Sequence, residues 1–119
     1  MKHYALASFC LIVASWPSAA TAHNVPINTG YGLLSHCTTE GLDQVENEYH
    51  LGQCLGFIKG VGNAWAIEHP KFVCITPGSD NLQLRNVVVE YLRMANRDRP
   101  AAYLVIEAMS EAFPCPKKQ

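Results

Sequence analysis

The stretch Leu51-Gly52-Gln53-Cys54-Leu55-Gly56-Phe57-Ile58-Lys59-Gly60-Val61-Gly62-Asn63-Ala64-Trp65 decides the fold. Leu51, Cys54, Leu55, Ile58, Gly62 and Trp65 recur at intervals of three and four, the spacing of one buried helical face; a strand would put alternate residues on the same side. Extended both ways, the pattern predicts one long helix over 44–67, starting at Asp43 or Gln44 and stopping before His69-Pro70, because a residue preceding proline is pushed out of the helical region. Beside this face runs a second stripe, Gly52, Gly56, Gly60 and Ala64, at intervals of four. A glycine inside a helix costs about 1 kcal/mol relative to alanine. Three in register therefore predict that another backbone comes close there, either within the domain or from a second copy of the chain in a homodimer.

The rest of the chain supplies helices to pack on this one. Upstream, Leu33, Leu34 and Cys37 fall on neighbouring turns and predict a short helix over 31–37, ended by the polar run Thr38-Thr39-Glu40-Gly41 with its helix-stopping glycine. Downstream, Ser79 or Asp80 can cap a third helix over 80–95, with Leu84, Val87, Val88, Tyr91, Leu92 and Ala95 along one stripe. Val87-Val88-Val89 alone favours a strand, but the helical period over the wider window outweighs that local preference. Pro100 suits a first turn and opens a fourth helix over 100–113, whose core side is Ala101, Leu104, Val105, Ala108, Met109 and Ala112; Pro114 ends it. The fold class expected is all-α, a small bundle of about four helices with no sheet.

Ahead of the helices, Lys2-His3 precedes an apolar run from Tyr4 to Trp16, and Pro17 breaks that run before Ser18-Ala19-Ala20-Thr21-Ala22. The run is too short to span a bilayer as a helix, which takes ~20 residues. Ala20 and Ala22 form the small-residue pair that signal peptidase accepts, so residues 1–22 read as a cleaved signal peptide, 23–29 as a flexible leader and 30–117 as the helical domain. A lipid anchor would need its cysteine just after the cleavage site, and Cys10 lies inside the apolar run, so no membrane association is expected after cleavage. Cleavage leaves eight Lys or Arg against ten Asp or Glu, a net charge of −2, which argues against nucleic acid or an anionic membrane as partner.

Cleavage also removes Cys10 and leaves Cys37, Cys54, Cys74 and Cys115, an even number in an oxidising compartment, which predicts two disulfides. The spacings contain no C-x-x-C or H-x-x-x-H pair of the kind that marks a zinc site, so neither metal nor cofactor is expected. The short turn from Asn96 to Arg99 packs the third and fourth helices antiparallel, which brings Cys74, ahead of one, beside Cys115, after the other. Of three pairings the favoured one is Cys37–Cys54 with Cys74–Cys115.

No catalytic constellation emerges. There is no G-x-S-x-G elbow, and every cysteine of the exported chain has a structural use. His23, His36, His50 and His69 have no ligand-like mutual spacing, and a thiol–imidazole pair between His36 or His50 and a cysteine is disfavoured by oxidation. Glu46 and Glu48, or Glu107 and Glu111, read as exposed helix charges. The chain is therefore expected to bind and not to turn over a substrate.

Several segments together carry a family likeness: Gly32-Leu33-Leu34-Ser35-His36-Cys37, Gln53-Cys54-Leu55-Gly56-Phe57-Ile58-Lys59-Gly60, Cys74 with Pro77, Val87-Val88-Val89-Glu90-Tyr91-Leu92 and Ala112-Phe113-Pro114-Cys115. From about Gly30 to Pro116 the chain resembles the Rap/Tai family of immunity proteins of bacterial type VI secretion systems. That resemblance implies a periplasmic, disulfide-bonded helical protein that binds and inhibits a secreted peptidoglycan amidase effector. The matching positions are cysteines, glycines and apolar helix residues, which specify the fold and not a recognition surface. The linker from Glu68 to Ser79 is the first place to look for that surface: His69, Lys71 and Phe72 form a charged and aromatic tip on a loop fixed by Cys74. The competing role for Phe72 is to close one end of the core. The alternative function is an exported helical chaperone or cell-envelope adaptor with a different partner, and a small hydrolase is the least favoured.

Overall fold

The computed structural model describes residues 25–75 and 78–117, and within them four helices follow in order: α1 (Gly30–Cys37), α2 (Gln44–Glu68), α3 (Asn81–Met94) and α4 (Ala101–Ala112). The signal-peptide expectation for residues 1–22 lies outside the described residues, as do His23, Pro77 and Lys118. Each helix starts where a side chain or a proline provides for it. Thr29 accepts from the Gly32 amide (3.1 Å), Asp43 from that of Glu46 (3.0 Å) and Asp80 from that of Gln83 (2.7 Å), while Pro100 occupies the cap of α4. The two described turns that need a left-handed residue have glycine there, Gly41 (φ 83°) between α1 and α2 and Gly78 (φ 90°) before α3. No strand forms among the described residues; Thr29 and Pro100 make one isolated antiparallel bridge.

The expected stripes meet in one core. Leu33 and Cys37 from α1, Cys54 and Ile58 from α2, Val88 and Leu92 from α3, and Leu104, Val105 and Met109 from α4 are fully buried. Gly62 of α2 is buried facing α4, where a Cβ would stand in ordinary contact with the Met109 methyl at 3.6 Å. The buried line of α2 is His50, Cys54, Ile58 and Gly62, with Leu51, Leu55 and Trp65 only half-buried at its edge. Ala112 of α4 is exposed, and Val73 and Phe113 close that end of the core instead.

Both expected disulfides form. Cys37–Cys54 joins α1 to α2 (Cα–Cα 5.1 Å), and Cys74–Cys115 joins the α2–α3 loop to the tail after α4 (Cα–Cα 4.8 Å). They close loops of 17 and 41 residues, a cross-linking worth ~3–4 kcal/mol each in the chain-entropy account.

The described part of the leader, residues 25–29, is held against the helices: Val25 and Asn28 offer carbonyls to His36 Nε2 (3.0 Å) and the Ala101 amide (2.8 Å), and Ile27 packs on the core. The glycine stripe is not a close approach within the domain either. A Cβ built at Gly52, Gly56 or Gly60 meets nothing within 4 Å, because this side of α2 faces outward between the exposed Tyr49 and Ile67. What remains of that expectation is a seam with a second copy. The tight glycine is Gly30, where a Cβ would fall 2.6 Å from Leu104 Cδ1 and 2.8 Å from the Arg97 backbone.

From the same turn between α3 and α4, the Arg99 guanidinium grips Glu107 with both arms (2.6 and 2.9 Å), and the Tyr91 hydroxyl donates to the same carboxylate (2.7 Å). These bonds, Arg99's first and then Tyr91's, hold the Glu107 carboxyl below its ordinary range; the Tyr91 phenol is pushed up by its bond to Glu107. A lowered carboxylate contributes stability that is present above the unfolded value and lost as pH falls through the folded one. Glu107→Gln should therefore melt below the wild type at neutral pH, with the gap closing in acid; thermal melts across pH check it. The glycines give opposite signs. Gly30→Ala should cost ~1–3 kcal/mol through overpacking, whereas Gly56→Ala should gain up to ~1 kcal/mol from helix propensity alone. Differential scanning of the two variants decides whether the assigned faces are right.

Candidate recognition surface

The linker residues singled out from sequence stand at the C-terminal end of α2. Trp65 and His69 are one turn apart, and their rings stack with centroids 3.8 Å apart and planes 33° from parallel. Pro70 prevents the helix from continuing, and the chain turns, with the Phe72 amide donating to the His69 carbonyl (3.1 Å). The turn sets the Phe72 ring edge-on to His69 at 6.0 Å. Trp65, His69 and Phe72 thus form an aromatic ladder leading from the half-buried indole to an exposed tip.

Successive residues at the tip have opposite fates. Phe72 is 63% exposed and Val73 only 7%, so Val73 takes the core-closing place and Phe72 stands in solvent. The segment is then pinned twice, by the Cys74 amide on the Phe113 carbonyl (2.8 Å) and by the disulfide to Cys115. Lys71 lies beside the tip, exposed, and lines a cleft of about 440 Å³ with Pro70, Cys74, Cys115 and Pro116. His69, Lys71 and Phe72 are therefore brought together on one rigid loop. Chemically the loop offers an aromatic anchor, a flat imidazole and a cation, and its sulfur is oxidised. Among the described residues no three His, Cys, Asp or Glu side chains gather as a metal site, and no helix is long and apolar enough to cross a membrane.

A second concave surface lies between α3 and α4, a groove of about 580 Å³ lined by Val87, Glu90, Tyr91, Met94, Ala108 and Glu111.

Sequence reasoning missed a third feature. His36 of α1 and His50 of α2, both buried, face each other with Nδ1 atoms 2.7 Å apart and ring centroids 4.8 Å apart. Spacing along the chain hid them, since a helical hairpin brings them together across 14 residues. The usable signal was their position: His36 adjoins Cys37 and His50 lies one turn before Cys54, so a Cys37–Cys54 bridge brings the two imidazoles within reach of each other.

No curated protein and no solved structure matches the chain significantly. One family model does, that of the Rap1a immunity proteins, over residues 29–115. That span begins at the cap of α1, ends at the second disulfide and takes in all four helices, and on it the chain belongs to the family of Rap1a immunity proteins.

Proposed function

We propose that this protein is an exported immunity protein that acts by binding, using the loop at the end of α2 to fill the cleft of a secreted peptidoglycan amidase delivered by a type VI system. The observation that carries the binding surface is the exposed Phe72, displayed beside His69 and Lys71 on a segment that the Cys74–Cys115 bridge fixes. What sets Phe72 apart from the other exposed apolar side chains is its place on a cross-linked loop, because a pre-ordered loop loses little entropy on docking. Aromatic anchors of this kind dominate interface energies. Export is supported by the leader Lys2 to Ala22 and by two disulfides, which persist in oxidising compartments. The periplasm is where such an amidase meets its wall substrate, and the chain protects the producing cell there with no turnover of its own.

Purified protein should suppress the cognate amidase at near-equimolar amounts, and cells lacking it should lyse when that enzyme reaches the periplasm. Replacing His69, Lys71 and Phe72 together by Ala should weaken inhibition at least about a hundredfold, the loss of a hot spot of ~3 kcal/mol, while the melting temperature stays within a few degrees, since Lys71 and Phe72 are exposed and His69 is outside the buried core. Unimpaired inhibition by a well-folded triple variant would move the interface elsewhere, the α3–α4 groove being next. A lost fold would mean that the His69 ring stacked on Trp65 supports the end of α2.

A further inference from the structure

The buried imidazole pair has a proton count that its geometry fixes. Two nitrogens 2.7 Å apart need one hydrogen between them: with none, lone pairs oppose each other, and with two, N–H groups do. The other nitrogen of His36 decides which ring supplies it. The Val25 carbonyl, 3.0 Å from His36 Nε2, can only accept, so Nε2 carries a hydrogen. In the neutral ring this leaves His36 Nδ1 bare, and His50 donates from its own Nδ1; the hydrogen-bond network assigns both tautomers. One added proton makes His50 a cation that donates the same bond in charge-assisted form. A second has to go to His36 Nδ1, where it meets the hydrogen already there.

We propose that His36 and His50 form a one-proton latch, closed with no added proton or one, and opened by a second, with release of the N-terminal segment 25–29 from the helices. The backbones of α1 and α2 cannot part to relieve the clash, because Cys37–Cys54 ties them one residue beyond His36 and one turn beyond His50. A ring must turn instead. If His36 turns, its Nε2 leaves the Val25 carbonyl. If His50 turns, His36 is left as a buried cation that lacks a partner at Nδ1, and its route to water is past the segment that covers it at Val25. Both routes lift the same cover. Other than its contact at Val25, that segment is held by the Asn28 carbonyl on the Ala101 amide, by Ile27 packed on the core, by Thr29, which caps α1 and bridges Pro100, and by Pro26 lying tight over Gly32.

Other ionisable groups stand on the elements around the pair. On α2, Tyr49 meets His50 ring edge to face at 5.5 Å, and Glu46 lies one turn before it. Glu40, after α1, shares the adjoining cleft with Arg85 and Arg93 of α3. Tyr31, the other ionisable ring of α1, turns onto Arg97 of the α3–α4 turn.

Imidazole nitrogen NMR on the oxidised protein, from about pH 8 to about pH 4.5, with amide exchange read in parallel, tests the latch; this range keeps most carboxylates charged. At the upper end His36 should carry its hydrogen on Nε2 and His50 on Nδ1. Uptake of the pair's second proton should speed exchange of the Ala101 amide about tenfold or more, the cost of one charged hydrogen bond. His50→Asn puts an amide in place of the imidazole, able to donate to a neutral His36 or accept from a charged one, and should keep Ala101 protection flat across the same range. The proposal is overturned by a hydrogen on His36 Nδ1 at pH 8, by two charged imidazoles with Ala101 still protected, by one proton held throughout, or by equal loss in wild type and His50→Asn. If the Asn variant does not fold, the wild-type tautomers and exchange decide alone.

Discussion

The bundle depends on how the start of α1 is held. A helix begins with amides that have no partner inside it, and here the first two, on Gly30 and Tyr31, donate to the carbonyls of Arg99 and Arg97 at 3.1 and 3.2 Å. Those carbonyls belong to the turn between α3 and α4, so the earliest helix is bonded directly to the latest hairpin. Only a residue without a side chain can sit between Leu104 and the Arg97 backbone, which is why glycine stands at position 30. The Tyr31 ring then lies under the Arg97 guanidinium at 4.9 Å, and Arg99 reaches the other way to Glu107. One four-residue turn, Asn96 to Arg99, therefore orients α1, α3 and α4 together, and Leu33, Leu92 and Leu104 come to share one core.

Given this frame, the two disulfides have different tasks. Cys37 and Cys54 are both fully buried and act as core residues that happen to be joined, fixing where α1 crosses α2. Cys74 is exposed, and its bridge replaces packing that a loop of this composition could not supply. The loop between α2 and α3 contributes Val73 and Ile75 to the core and nothing else described; without the bridge and the Cys74 amide on Phe113, two apolar contacts would have to offset the entropy of ordering the whole connection.

What could be read from the sequence follows the same division. The helices, their caps at Asp43 and Asp80 and the breaks at Pro70 and Pro114 are written in local residue types, and their ends fall within about one residue of expectation, the usual scatter of helix boundaries. The disulfide pairing followed because an antiparallel hairpin leaves little choice of neighbours. Residues 25–29 were opaque because the bonds that hold them come largely from backbone carbonyls, which every residue carries. The His36–His50 pair was opaque because a core assembled from apolar periodicity has no place for imidazoles, although His50 continues the i, i+4 line of Cys54, Ile58 and Gly62. For the candidate contact loop, the sequence supplied the residue types His69, Lys71 and Phe72, but which of two adjacent apolar side chains points inward is a matter of packing, and the core took Val73. Nothing within the single chain explains why glycine stands at positions 52, 56 and 60.

The two distinctive features of the molecule lie toward opposite ends of one helix. His50 and His69 are 19 residues apart along α2 and its cap, about 28 Å at the helical rise. Between them α2 is fixed by Cys54 to α1 and by Ile58 and Gly62 to the core, so a change of ring position at His50 has no mobile element through which to reach Phe72. The loop at the far end is moreover bonded to the tail of α4 and not to α1. Coupling between sites needs an element with two arrangements that both sites bias, and the element that moves at the histidine end is the N-terminal segment. That segment touches α1 and the start of α4, the end of the hairpin away from Cys115. Proton uptake at the pair and display of the aromatic tip are in this architecture separate properties: the first governs how the N-terminus is held, and the second is set by a disulfide that does not titrate.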